Sequence, residues 1–236
     1  MAKKNPTQPT PAAAPQPPAK SKSKVFIVDD HAIVRQGLAE LINDQPDLTV
    51  VGEADNPPDA LKRIAETKPD VVVLDITLNG GDGIELCRQL HDRDASLPIL
   101  MLSMHDEALY AERVMRAGAL GYVMKQEPQE TVMAAIRKVR NGETWLSPKM
   151  SSKLLRSFSG SRSNADVAPL ERLSDRELQI FKLIGQGQGV RAIAEALFLS
   201  PKTVETHKEH IKQKLNLASS NDLLRYAIEA RVTDHQ

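Results

Sequence analysis

The chain has 236 residues, enough for one large domain or two modest ones, and its 41% apolar and 26% charged residues are typical of a globular protein. Its one cysteine, Cys87, excludes a disulfide framework and a cysteine-based zinc site, and 3% aromatic residues disfavour a protein that stacks single-stranded bases. No apolar run approaches the ~20 residues of a membrane span, so we expect a soluble, cytoplasmic protein without a membrane partner.

The net charge of zero conceals a strong regional asymmetry. Residues 1–24 carry five lysines and no acid, residues 25–144 carry 12 Lys and Arg against 21 Asp and Glu, and residues 171–236 carry 10 against 9. The acidic excess of the central region argues against nucleic-acid binding there and favours cations or basic partners.

The first 23 residues are predicted to be disordered. They hold six of the fifteen prolines, with Ala, Ser, Lys and Gln between them, and bury too little apolar surface to offset the chain entropy. A mitochondrial presequence is the alternative, but it would be rich in arginine, and this segment has none.

Residues 24–142 alternate short apolar runs with amphipathic stretches. Continuous Val, Ile and Leu runs indicate strands buried on both faces, as in a parallel sheet. The runs are 25–28, 48–52, 71–74, 97–102 and 120–124, and the helical patterns lie near 32–43, 57–67, 82–91, 106–117 and 128–140. The pattern predicts an α/β domain of (βα)5 architecture with a doubly wound parallel sheet.

The remainder of the chain divides into a linker and a small all-α domain. Residues 143–171, which include SFSGSRSNAD, lack periodicity and are predicted to be the linker. Residues 172–236 hold the second domain, with helical patterns near 174–186, 190–198, 201–215 and 219–230.

Polar side chains follow four of the predicted strands. Asp29 and Asp30 come after the first, Asp75 after the third, Ser103 after the fourth and Lys125 after the fifth. Because ligands bind at the carboxyl ends of parallel strands, we expect these groups to converge. Three carboxylates suit Mg²⁺, a lysine suits a phosphoryl group, and a carboxylate can itself accept phosphate. The set predicts phosphoryl transfer onto an aspartate.

Each residue also has a plainer interpretation. An aspartate can cap a helix or end a strand, Lys125 alone could be a surface lysine, and Cys87 lies within a helical pattern and is predicted to be core. The nearby His31 and His105 lack ligand spacing and are interpreted as capping or surface groups. Four matching strand ends together make coincidence the weaker explanation.

The segments VFIVDDH (25–31), PDVVVLDITLNGGDGIEL (69–86), ILMLS (99–103) and GALGYVMK (118–125) resemble the receiver domain of bacterial response regulators. The resemblance implies a sensor histidine kinase as partner. It implies that Asp75 is the phosphoacceptor and that Asp29, Asp30, Asp75 and the Thr77 carbonyl form the Mg²⁺ site. It also implies that Ser103 is the switch hydroxyl, that Tyr122 is the switch aromatic residue, and that Lys125 pairs with the phosphate. Asn79 stands where the family usually has a proline, in the loop after the phosphoacceptor. This difference affects the expected rigidity of the loop and leaves the expected chemistry unchanged.

A helix-turn-helix is predicted within VRAIAEALFLSPKTVETHKEHIKQKL (190–215). Ser200 before Pro201 matches an N-cap followed by proline, and apolar residues recur along the second helix. Such a helix enters the DNA major groove. The candidate DNA contacts are Ser200, Lys202, Thr203, Thr206, His207, Lys208 and Lys212. The alternative is a solvated helix face, which Glu205 and Glu209 favour.

LSDRELQIFKLIGQG (173–187), together with the helix-turn-helix, resembles the LuxR-type DNA-binding domain, and its order after a receiver is similar to the NarL/FixJ subfamily. This implies a two-component transcription regulator that dimerises on phosphorylation and binds double-stranded promoter DNA. The apolar stripe of 223–232 suits a dimer contact, or packing within its own domain. Glu205 and Gly189–Val190 depart from the family pattern and affect base preference.

Two other functions are less consistent with the sequence. In Mg²⁺-dependent phosphohydrolases with an aspartyl nucleophile, the typical pattern has a second Asp two positions after the nucleophile. This sequence has Thr77 at that position. A small-molecule-sensing regulator would need an aromatic-lined pocket, which the N-terminal domain lacks. We therefore expect no enzymatic activity beyond phosphorylation and dephosphorylation of the protein's own aspartate.

Overall fold

The structure, a computed structural model, describes residues 21–78, 81–104, 107–158 and 169–233. The interpretations of the N-terminal tail through residue 20, of Asn79, of His105 and of most of SFSGSRSNAD lie outside these residues. Within them, no helix combines the length and the apolar character needed to cross a membrane.

The first domain is the predicted parallel sheet with helices on both faces. In chain order its strands are β1 (Ser23–Val28), β2 (Leu48–Ala54), β3 (Val71–Leu74), the two-residue strands β4 (Thr77–Leu78) and β5 (Gly81–Asp82), β6 (Ile99–Ser103) and β7 (Gly121–Met124). Its helices are α1 (Ala32–Asn43), α2 (Pro57–Thr67), α3 (Gly83–Arg93), α4 (Glu107–Arg116) and α5 (Gln129–Arg140). The parallel sheet has the order β2-β1-β3-β6-β7, and β4 and β5 pair antiparallel as a separate hairpin.

The order of the strands reverses direction at β1, which places a crevice between the carboxyl ends of β1 and β3. Alternate residues of β1 enter different cores: Phe26 and Val28 belong to one apolar cluster, and Val25 and Ile27 to the other. All four side chains are at most 1% exposed. A strand with both faces covered must be apolar throughout, which is why these runs are continuous.

The C-terminal part is all helical, as predicted. It comprises α6 (Pro148–Phe158), a short 3-10 turn (Pro169–Arg172), α7 (Asp175–Gly185), α8 (Val190–Ala196), α9 (Pro201–Leu215) and α10 (Ser220–Thr233). The helix α6 lies in the segment interpreted as linker, so that prediction missed an element. The helix begins with a proline after Ser147, whose hydroxyl accepts from the Met150 backbone N–H at 3.2 Å, and Met150 is buried.

Capping residues mark the start of α7 and the start of α9, which is the second helix of the helix-turn-helix. The Ser174 hydroxyl accepts from the Glu177 backbone N–H at 3.3 Å, and Glu177 accepts in return from the Ser174 N–H at 2.7 Å, which forms a capping box at the start of α7. Ser200 caps α9 by accepting from the Thr203 N–H at 3.0 Å. Val204 of α9 is fully buried, so this side of the helix faces the domain core.

The two domains are in contact through α4 and α7. The Arg113 guanidinium donates to the Leu170 and Leu173 carbonyls at 2.8 and 2.6 Å, and lies 2.9 Å from an Asp175 carboxylate oxygen. The Lys182 Nζ atom lies 4.6 Å from the centroid of the buried Tyr110 ring. The charge-assisted hydrogen bonds of Arg113 and the cation–π contact of Lys182 thus hold α7 against the first domain.

Candidate functional site

An acidic cluster lies in the crevice between β1 and β3. The backbone of Asp29 donates to the Ala54 carbonyl and that of Asp75 to the Val28 carbonyl, which continues the ladder of the sheet to the strand ends. Ligand atoms of Asp29, Asp30 and Asp75, with one of His31, all lie within 4.8 Å of one another. The structure therefore brings together the three carboxylates that the sequence places at the strand ends.

Lys125 bridges two of these carboxylates. Its Nζ atom lies 2.5 Å from Asp29 Oδ2 and 2.7 Å from Asp75 Oδ2, and the side chain is 6% exposed. Burial lowers the pKa of Lys125, but the Asp75 and Asp29 carboxylates raise it more, and the net shift is upward. The lysine is thus a fixed positive charge at the phosphoacceptor candidate.

Asp75 is 4% exposed, and burial raises the pKa of its carboxyl to about 6, against the lowering effect of Lys125. The nearby Asp29 charge raises it further, and a hydrogen bond from the Thr77 backbone lowers it. At neutral pH the group is mainly ionised, which is the form a nucleophile needs. Thr77 itself begins the short strand β4, so its backbone lies beside the Asp75 carboxylate.

A divalent cation fits this donor set. Burial also raises the pKa of Asp30. The buried Oδ1 atom of Asp30 accepts no hydrogen bond within the described part of the chain, although His31 Nδ1 lies 2.7 Å away. A hard cation that prefers oxygen ligands would reduce the repulsion among these carboxylates. It would also supply a partner for the buried oxygen that accepts no hydrogen bond.

The predicted switch residues lie on the neighbouring strands. Ser103 ends β6 and is 1% exposed, and Tyr122 lies in β7 and is 2% exposed. The Lys125 backbone N–H donates to the Ser103 carbonyl at 2.8 Å, so both strand ends meet beside the acidic cluster.

Sequence reasoning missed two residues that shape this site. A Cβ atom on Gly83 would lie 1.9 Å from the Asp75 carbonyl oxygen, so only glycine lets α3 begin this close to the phosphoacceptor candidate. Asp82 caps α3 by accepting from the Ile84 N–H at 2.8 Å. The sequence Gly-Asp-Gly at 81–83 is a turn and N-cap signal that could have found both.

Asp82 also connects this region to the second domain. Its Oδ2 atom accepts from Gln179 Nε2 of α7 at 3.2 Å. Burial raises the pKa of Asp82 to about 6, and the Asp175 carboxylate adds to the rise. The residue therefore joins the start of α3, next to Asp75, to the first helix of the C-terminal domain.

Six of the candidate DNA-binding residues, which lie on α9 or at its N-cap, fall into three groups. Lys202 and Thr206 are exposed, and the Thr206 hydroxyl donates to the Lys202 carbonyl at 3.0 Å. Ser200 and Thr203 are used in the cap, with their hydroxyls 2.8 Å apart. Lys208 and Lys212 are ion-paired along the helix, with Glu205 at 3.1 Å and Glu209 at 2.8 Å.

His207 lies on the side of α9 that faces α7. Its Nδ1 atom is buried and accepts or donates no hydrogen bond within the described residues. Burial lowers the pKa of His207, and nearby Arg176, His210 and Lys214 lower it too, against the raising effect of Glu177. Its DNA contact stays a prediction, with the ring turned toward the domain interior.

Comparison with known proteins identifies both domains. Residues 25–137 match the response regulator receiver domain, and residues 171–227 match the luxR family of bacterial regulatory proteins. The oxygen regulatory protein NreC of Staphylococcus carnosus is 39% identical over 215 residues, which is 89% of this chain and 99% of that protein. NreC of Staphylococcus aureus is 40% identical over 216 residues, with the same coverage.

Solved structures agree with this assignment. RcsB from Salmonella enterica serovar Typhimurium, bound to a promoter in the presence of the phosphomimetic BeF3−, has a TM-score of 0.59 and 26% identity. The match covers 88% of this chain and 98% of RcsB. A LuxR-family response regulator from Aurantimonas has a TM-score of 0.54 and 35% identity, over 59% of this chain and 99% of that one.

Proposed function

This chain belongs to the response regulators that combine a receiver domain with a LuxR-type DNA-binding domain, and we propose that phosphorylation of Asp75 controls its binding to DNA. A receiver domain implies a sensor histidine kinase as its partner. The observation that carries the assignment to Asp75 is the double contact of Lys125, which joins the Asp29 and Asp75 carboxylates in the crevice.

The chemistry follows from these positions. An Asp75 carboxylate oxygen attacks the phosphorus of a phosphohistidine, the P–N bond breaks, and the imidazole nitrogen takes back its electron pair and a proton. Lys125 then pairs with a phosphoryl oxygen in place of one carboxylate. Asp29, Asp30, Asp75 and the Thr77 carbonyl would hold Mg²⁺, which neutralises phosphoryl oxygens when bound.

We expect Asp75→Asn to abolish phosphoryl transfer from a phosphohistidine donor and from a small acyl phosphate, because an amide is a poor nucleophile. The measurement is incorporation of labelled phosphate, with and without a chelator of divalent cations. Asp82→Asn is the matched control, since Asp82 is a half-buried aspartate close to the site and the asparagine oxygen can still cap α3. Incorporation into the Asp75 variant, or undiminished transfer in the chelator, would contradict the assignment.

The second part of the proposal concerns DNA. The RcsB complex combines a promoter with a phosphomimetic, and this supports α9 as the helix that enters the major groove of double-stranded promoter DNA. We infer a homodimer in the phosphorylated state, because a single small domain gives a modest interface and two half-sites multiply specificity. We infer that the protein acts in the cytoplasm, where its DNA target and its phosphodonor would meet it.

We further propose that the protein turns over no separate substrate. A phosphohydrolase of the aspartyl type needs an acid two positions after the nucleophile, and Thr77 cannot donate a proton to a leaving group at neutral pH. A phosphate-release assay on generic phosphate esters should show no release, whereas phosphorylated Asp75 should hydrolyse slowly. Catalytic release from such esters would favour the enzyme.

A further inference from the structure

A second group of metal-binding side chains lies in the C-terminal domain, apart from the acidic cluster of the receiver. Glu177 belongs to α7, and His207 and His210 belong to α9. One ligand atom from each of the three lies within 4.8 Å of the others. The two histidines are three residues apart and therefore lie on one side of the helix, with ring centroids 6.5 Å apart.

We propose that Glu177, His207 and His210 bind a divalent ion of the zinc class, which bridges α7 to the recognition helix α9. Two imidazoles and one carboxylate are a ligand set that zinc accepts, with water in the fourth position. Mg²⁺, by contrast, prefers oxygen ligands throughout. The two metal sites of the protein would therefore select different ions.

The environment of Glu177 leaves one oxygen for the ion. The residue is 3% exposed, and its Oε2 atom accepts from the Ser174 N–H at 2.7 Å and from Lys214 Nζ at 2.6 Å. The other oxygen, Oε1, faces His210 Nδ1 at 3.9 Å. Hydrogen bonds that orient a ligating carboxylate through its other oxygen are a common feature of metal sites.

His207 supplies an independent observation. Its Nδ1 atom is buried and has no hydrogen-bond partner in the described part of the chain, which is a cost that a bound ion would remove. The side chain of His210 is 53% exposed and can rotate the short distance that closes the set. Because Lys214 already neutralises Glu177, we expect weaker binding than at a permanent structural zinc site, so loading would follow the supply of the ion.

An ion at this position would fasten the recognition helix to the first helix of its domain. Anything that binds only the folded domain stabilises it, so loading should raise the thermal midpoint of this domain. It should also fix the orientation of His207 away from DNA. The inference does not rest on the phosphorylation of Asp75, and its test leaves that residue intact.

The test uses the full chain in excess Mg²⁺, which keeps the receiver site filled. Zn²⁺ is titrated against a chromophoric chelator, and the variant is His210→Asn, at a half-exposed position. Glu209→Gln is the matched control, because it removes an exposed carboxylate next to the cluster. We expect one Zn²⁺ per chain, an affinity at least about tenfold lower in His210→Asn, and no change in Glu209→Gln.

Two further readouts distinguish this site from the receiver. The imidazole NMR signals of His207 and His210 should shift on Zn²⁺ addition, and the thermal midpoint should rise in the wild type and in Glu209→Gln alone. Zn²⁺ binding that is equally tight in His210→Asn would overturn the proposal. So would binding that excess Mg²⁺ displaces, or that Asp30→Asn removes, since either places the ion in the receiver.

Discussion

At the scale of single residues, Lys125 determines the electrostatics of the acidic cluster. It is the cation within ion-pair distance of both Asp29 and Asp75, and all three side chains are at most 6% exposed. Buried charges are costly unless they are paired, so each of these groups depends on the others. The site holds two carboxylates together before any phosphoryl group arrives.

We therefore expect Lys125→Gln to lower the stability of the receiver by about 3–5 kcal/mol, because it leaves two buried carboxylates without a counter-charge. Mg²⁺ should recover more stability in this variant than in the wild type, since the ion takes over the missing charge. Urea unfolding with and without Mg²⁺ measures both effects. Lys62→Gln, at an exposed position on α2, is the control and should change little; equal Mg²⁺ effects in all three proteins would contradict this account.

Ser103 is the second residue for which the structure permits a sharp expectation. It ends β6, is 1% exposed, and its carbonyl accepts from the Lys125 backbone N–H, so the residue lies at the same edge of the sheet as the phosphoacceptor candidate. Ser103→Ala should leave phosphorylation of Asp75 intact but weaken the coupled rise in DNA affinity, because a hydrogen bond to the phosphoryl group exists in one state only. Couplings of this kind are ~1–3 kcal/mol, which DNA titration of phosphorylated and unphosphorylated protein resolves. A normal response in the variant would exclude the hydroxyl as the relay.

At the scale of elements, the sequence predicts a helix or strand correctly where its local hydrophobic pattern agrees with the burial of the residues. The helix predicted near 32–43 is α1, and the apolar run 71–74 is β3, because continuous Val and Leu residues have no other stable placement than a buried parallel strand. The hairpin of β4 and β5 was missed, since two-residue strands carry no periodicity. The contact of Arg113 with Asp175, 62 positions away, has no local signal at all.

The same reasoning applies to the candidate site. Convergence of Asp29, Asp30 and Asp75 follows from topology, because the carboxyl ends of parallel strands meet at one edge. That Lys125 would pair with two carboxylates at once depends on side-chain distances, which no spacing rule supplies. The inward direction of His207 likewise depends on how α9 packs against α7.

The contact between α3 and α7 gives an expectation for pH. The raised pKa of Asp82, about 6, results from burial first and from Asp175 second. Separation of the domains would remove the Asp175 charge and the Gln179 contact and would therefore lower this pKa. The closed arrangement thus binds more protons. Its extra stability is complete below about pH 4 and is lost as pH rises through about 6.

We therefore expect the domains to separate more readily at neutral than at mildly acidic pH. Fluorescence energy transfer between labels on the two domains measures this, and Asp82→Asn should flatten the dependence while it keeps the α3 cap. Arg113→Ala should loosen the contact at every pH, because it removes two carbonyl contacts and the ion pair with Asp175. An unchanged pH profile in Asp82→Asn would assign the effect to another group.

At the scale of the whole molecule, α10 offers a surface for the proposed dimer. Leu223 and Ala227 are at most 2% exposed and pack within their own domain, whereas Leu224 and Ile228 remain 40% and 45% exposed. The apolar stripe of this helix is therefore divided between the domain core and an outer face. A second copy that covers the outer face would set the spacing of two recognition helices on DNA.

Different substitutions in α9 should affect the phosphate contacts and the base contacts of this dimer. Lys202 is exposed at the start of α9, and we propose that its positive charge contacts the DNA backbone. Lys202→Ala should then weaken binding to all sequences alike and lower the slope of log affinity against log salt by about one per chain. Thr206→Ser removes the methyl group of an exposed side chain and should instead change the preferred base sequence, with the salt slope unchanged. Footprinting and salt titration of the phosphorylated protein measure both, with Lys62→Ala as the control on the receiver surface. A footprint over a single half-site, or an unaltered salt slope in Lys202→Ala, would mean that α9 does not lie in the groove in this way.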